Sequence, residues 1–165
     1  VVLDLMIHDL DIVLSMIKED VVDVRANGVC IVSKTPDICN ARIEFAGGAI
    51  ANLTASRISL KNMRKIRIFQ NDAYISLDFL EKEAQVVKIE ENVENDDFSG
   101  MTIHTNDGLK RIIIDSPEIM KNNAIEDELS DFYNAVTGQS DVLVTIDDGY
   151  RALKLAHIIQ SKIVL

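Results

Sequence analysis

The segment ARIEFAGGAIANLTASRI, residues 41–58, alternates apolar and polar side chains on both sides of a glycine pair. A repeat of two residues is that of an extended strand with one face covered. Ala41, Ile43 and Phe45 share one side, and Arg42 and Glu44 take the other. Ala49, Ala51, Leu53 and Ala55 repeat the covered side after Gly47-Gly48, which predicts a two-residue hairpin turn. A hairpin with one apolar face must lie against a second layer, so this chain cannot be all-helical.

The second layer is legible on both flanks. Leu, Met, Ile and Val dominate residues 4–18, which predicts a helix ended near Glu19-Asp20. After Pro117, Ile125, Leu129, Phe132, Tyr133 and Val136 keep helical spacing, and Gly138 stops that helix. Thr145 and Asp148 make a capping box with Asp in place of Glu, opening a last helix over 147–163 with Leu153, Ala156, Ile159 and Ile163 on one face. Between the flanks, 21–29, 64–69, 73–80 and 85–90 read as strands, followed by MTIHT and LKRIIID. Asn71-Asp72 and Asn106-Asp107-Gly108 mark turns, and the acidic run 90–100 reads as a loop. The fold class is α+β: an N-terminal helix, a large, mostly antiparallel open sheet of about six to eight strands, and two C-terminal helices packed on one face.

Composition narrows the function. A net charge of −10 argues against nucleic acid or an anionic membrane as partner, since both are polyanions. No apolar run is long enough to span a bilayer, and no basic leader with a cleavage site precedes the first helix. Cys30 and Cys39 lack C-x-x-C spacing and read as small core residues of a reducing, cytoplasmic setting, compatible too with a single disulfide. His104 and His157 have no ligand-spaced partners, so no metal is expected.

On the first helix, Asp4, His8, Asp11 and Ser15 fall in one narrow stripe on an otherwise apolar surface, while Asp9 lies off it. A polar line on a buried helix must face a hydrogen-bonding partner or a cavity. Two readings follow. Asp4 is a helix cap and His8 a satisfied core histidine, or Asp4 orients an imidazole that acts as general base in a substrate pocket. Asp11 reads first as structural, bonded to backbone or a neighbouring strand.

The segment DLMIHDLD resembles the Asp-x-x-x-His segment that opens the second domain of the glucose–fructose oxidoreductase / inositol dehydrogenase (Gfo/Idh/MocA) family. The tail from Ile125 to Ile163 is similar to that family's usual end, with E-L-x-x-F at 128–132 and D-G-x-x-A-L at 148–153. The resemblance implies the C-terminal, substrate-binding domain of an NAD(P)-dependent sugar or cyclitol dehydrogenase. It implies His8 and Asp4 as the catalytic pair, with the dinucleotide bound mainly by an N-terminal Rossmann domain. Neither G-x-G-x-x-G nor E-K-P occurs here, and Gly47-Gly48 sits between two strands. The whole of 1–165 is therefore expected to be one substrate-binding and oligomerisation domain, inactive alone.

Arg57, Lys61, Arg64, Lys65 and Arg67 cluster in this acidic chain. They suit the diphosphate of a nucleotide sugar, with Arg57, Lys61 and Arg64 as the substrate-binding candidates, or else a solvated strand face. Alternation places Arg57 with Ala51 and Leu53, toward the covered side. Self-association, as a homodimer or larger, is expected through the sheet face around Ile50 and Ile58, with Leu5, Met6, Ile12 and Met16 as a further apolar flank. The alternative is a non-catalytic assembly or protein-binding domain on the same fold.

Overall fold

The structure, a computed structural model, describes residues 1–91, 101–105, 108–119 and 122–164. The acidic stretch 92–100 lies outside the described residues, as does the turn at Asn106-Asp107, whose Gly108 opens a strand. The chain divides into two compact units, residues 1–60 with 128–165, and residues 61–127.

The first unit is a helix pair on a four-stranded sheet. A π-helical turn at Val2–Met6 runs into α1, Ile7–Met16. Strands β1 (Val21–Val29), β2 (Ile38–Phe45) and β3 (Ile50–Ser56) form an antiparallel meander. Helix α3, Ile146–Lys162, packs against α1 and β1, and the chain then adds a short parallel strand, Ile163–Val164, beside β1. We number that strand β9. The core is one layer deep: Met6, Leu10 and Leu14 from the helical start, Cys39, Ala41, Ile43 and Phe45 from β2, Leu53 and Ala55 from β3. Helix α3 supplies Ala152, Leu155, Ala156 and Ile159.

Several expectations change in detail. Met6 is in the core rather than on an uncovered flank, and Leu153 is exposed, because the buried stripe of α3 runs through Ala152 and Leu155. Cys39 is buried, but Cys30 is exposed. The glycine turn is a three-residue loop, not a two-residue one. The Gly48 amide donates to the Phe45 carbonyl at 2.9 Å, and the Phe45 amide donates to the Ala49 carbonyl at 2.9 Å. Only Gly48 needs a positive φ, at 90°, which is the usual glycine bulge after a type I turn. Gly28 has a packing reason instead: a Cβ there would lie 2.8 Å from Cγ2 of Ile163, so the glycine lets β9 approach β1.

The expected capping box is present. Thr145 Oγ1 accepts the Asp148 amide at 3.2 Å, and Asp148 Oδ2 accepts the Thr145 amide at 3.0 Å. Since α3 carries much of the core, Thr145→Ala should cost about 1 kcal/mol. Chemical denaturation should show the midpoint falling with an unchanged m-value.

The second unit is an antiparallel sheet in the order β4-β5-β6-β8-β7. Its strands are Lys65–Phe69, Ala73–Asp78, Glu83–Glu91, Gly108–Asp115 (β8) and Met101–Thr105 (β7). Among the described residues it contributes none of the fully buried apolar side chains. The strands therefore fall into two sheets, of four and five, rather than one. The division falls where β3 stops at Ser56 and β4 starts only at Lys65. Alternation along one strand says which face is covered, not which neighbour it hydrogen-bonds.

Helix α2, Ala124–Val136, forms over the expected span and is followed by Gly138 at φ 73°. Its apolar stripe (Ile125, Leu129, Phe132, Tyr133, Val136) is 61–70% exposed throughout.

Candidate active site

The polar line of the first helix faces away from the core. Val2, Met6, Leu10, Val13 and Leu14 anchor the opposite side, and His8 is exposed. The reading of His8 as a satisfied core histidine is therefore excluded, and so is that of a helix buried all round. Asp4 is not a side-chain cap either, because the π-helical turn begins at Val2 and no side chain caps it. Ser15 bonds back into its own helix, its hydroxyl donating to the Ile12 carbonyl at 2.7 Å. Asp11 is half-buried, and among the described residues none hydrogen-bonds its side chain. The backbone or strand partner expected for it is absent there.

Asp4 has a partner that no local pattern announces. Arg57, 53 residues on, donates to Asp4 Oδ2 from Nε at 3.0 Å and from Nη2 at 2.8 Å. The backbone nitrogen of Val1 lies 2.9 Å from the other oxygen, Oδ1. Among the described residues no hydrogen bond joins Asp4 to His8.

Arg57 emerges just past the end of β3, on the Leu53 and Ala55 side as alternation predicts, yet it is not covered. Its root is held by a buried aspartate that sequence reading passed over. The Arg57 amide donates to the Asp37 carbonyl at 2.9 Å, and the Asp37 amide donates to the Val29 carbonyl at 2.9 Å. The Asp37 residue thus ties the ends of β1 and β3 together. Its carboxylate closes the preceding loop: Oδ2 accepts the amides of Ile31, Val32 and Ser33 at 2.8, 2.8 and 3.0 Å. Those three amides, Ile31 first, hold the Asp37 carboxyl well below the usual carboxylate range. The available signal was the acid four to six residues after a run of backbone donors, in IVSKTPD, a local side-chain–backbone pattern.

The remaining basic residues belong to the second unit. Arg64 lies over the Phe79 ring, 5.3 Å from its centroid, and Lys65 pairs with Asp78 at 2.7 Å. Lys61 and Arg67 are exposed. Within the run 57–67, Arg57 engages Asp4, Arg64 the Phe79 ring and Lys65 Asp78. On the outer face around β3, Thr54 donates to Asn40 at 2.8 Å beside Arg42 and Glu44. Ile50 is exposed on that face, and Ile58, beyond the strand, is half-buried. Among the described residues no three His, Cys, Asp or Glu side chains converge to hold a metal. No described helix is long and apolar enough to cross a membrane.

One unit thus carries a helix pair on a four-stranded sheet with an Asp-x-x-x-His line on its first helix, and the other a five-stranded sheet. The chain belongs to the GFO/IDH/MocA family: residues 1–76 match the model of the GFO/IDH/MocA C-terminal domain. It is 33% identical over 156 residues to a UDP-N-acetylglucosamine 3-dehydrogenase of Acidithiobacillus ferrooxidans, an alignment covering 94% of this chain and 46% of the relative. A solved structure of a UDP-N-acetylglucosamine 3-dehydrogenase from that organism superposes with a TM-score of 0.83 at 30% identity, over 99% of this chain and 48% of that one. Levoglucosan dehydrogenase in complex with NADH shares the fold at 17% identity, with a TM-score of 0.74 over 96% of this chain and 46% of that one. The chain thus spans about half the length of the relatives it matches.

Proposed function

We propose that this chain is the substrate-binding half of an NAD(P)-dependent oxidoreductase acting on a sugar hydroxyl or ketone, with a nucleotide-activated sugar as the substrate class. The observation that carries the substrate class is the Arg57 guanidinium standing on the Asp4–His8 helix, in a chain similar to an enzyme named for a UDP-sugar. Arg57 binds the diphosphate through its fork of donors, with Lys61 and Arg64 as the further candidates. His8, exposed on the polar line, takes the hydroxyl proton as the sugar carbon is oxidised. These residues do not fit the dinucleotide itself. The double glycine is a hairpin between antiparallel strands, and no glycine-rich turn leads from a strand into a helix N-terminus among the described residues. An N-terminal nucleotide-binding domain outside this chain supplies that site, and hydride transfer is its part of the chemistry. Self-association through a sheet face, in a cytoplasmic enzyme, completes the proposal.

The test is discrimination between substrates. In the complete protein, Arg57→Ala should raise the KM for a UDP-N-acetylhexosamine roughly tenfold or more, as expected for losing a charge-assisted contact. The KM for the free sugar, which carries no phosphate to hold, should not rise. An equal effect on both substrates, or none on either, refutes the phosphate role.

A further inference from the structure

We propose that Asp4 and the substrate phosphate compete for Arg57, so that phosphate binding frees Asp4 to orient His8. This rests on the nucleotide-sugar reading above and adds to it an order of events: the remote phosphate arms the proton-transfer pair.

Both of the Arg57 donors described here, Nε and Nη2, converge on one Asp4 oxygen. A guanidinium so engaged cannot present the same edge to a phosphate, and the two partners therefore exclude one another there. The pair is exchangeable rather than locked. The Arg57 and Asp4 side chains are 39% and 49% exposed, the regime in which an ion pair is only weakly stabilising. A diphosphate brings more negative charge than a carboxylate and an equally good fit to the fork, so it displaces Asp4. The exchange requires a side-chain motion only, because the Arg57 backbone is tied to Asp37. Once released, the Asp4 carboxylate stands four residues before His8, the spacing at which helical side chains meet. In the Arg57-bound arrangement it makes no bond to His8 among the described residues. Arg57 is thus a positioning residue for the imidazole as well as a phosphate ligand.

The experiment is a calorimetric titration of the complete protein with UDP, alongside steady-state kinetics with the UDP-sugar. Asp4→Asn removes the competitor, so UDP should bind about fivefold more tightly, while kcat falls about tenfold because His8 loses its orienting carboxylate. Asp11→Asn removes the same charge from the same helix without touching Arg57, and should leave UDP affinity within about 1.5-fold. A structural role for Asp4 alone would not tighten ligand binding. If Arg57→Ala loses UDP but Asp4→Asn leaves its affinity unchanged or weaker, the exchange is wrong and the nucleotide-sugar reading stands. Equal tightening in Asp4→Asn and Asp11→Asn also overturns the exchange, leaving a general field effect. If UDP fails to bind the unmodified protein, or binds Arg57→Ala as well as the parent, the substrate reading fails and the exchange fails with it.

Discussion

Replacing His8 by alanine in the complete protein should lower kcat by roughly 10²–10⁴, the usual worth of a positioned acid–base group. The KM for the sugar should change little. The side chain is exposed and lies opposite the buried line of Met6, Leu10, Val13 and Leu14, so the substitution opens no cavity. A surface change of this kind ordinarily alters stability by about 0.5 kcal/mol or less. A variant that melts like the parent but turns over at the parent rate removes His8 from the mechanism. Loss of activity together with a large loss of stability would instead mean that the imidazole braces α1.

Asp37→Ala should lower the melting temperature by about 5–10 °C, the largest stability effect expected outside the apolar core. Three amides and the Ser33 hydroxyl, 2.9 Å from Oδ1, lose at once the acceptor that the buried Asp37 side chain supplies to an otherwise exposed loop. The pH dependence has a definite sign. The folded carboxyl sits well below its unfolded value, so the native state favours the ionised form. The stabilisation is therefore complete above the unfolded value of about 3.9 and is lost as pH falls from there toward the folded value. Thermal melts of the parent and of Asp37→Asn should keep a constant difference from neutrality down to about pH 5 and draw together progressively as pH falls below about 4. A difference that stays constant below about pH 4 as well would show that the carboxylate charge is not what holds the loop.

Patterns that repeat over a few residues were enough to place the first helix, the Ala41–Phe45 strand with its covered face, the span of α2, and the Thr145–Asp148 cap. Each depends on local periodicity or on atoms within one turn, and so is written in neighbouring residues. The Asp4–His8 spacing was legible for the same reason. Its surroundings were not. That His8 faces outward follows from which side of α1 meets β2 and α3. That the strands part into two sheets follows from hydrogen bonds between residues far apart in the chain. The Asp4–Arg57 pair spans 53 residues and arises because β3 ends beside the π-helical turn, with Asp37 holding that end in place. Such contacts are closed by packing and by backbone partners that no period encodes, so only the folded chain shows that a candidate phosphate ligand and the aspartate proposed to orient His8 share one ion pair.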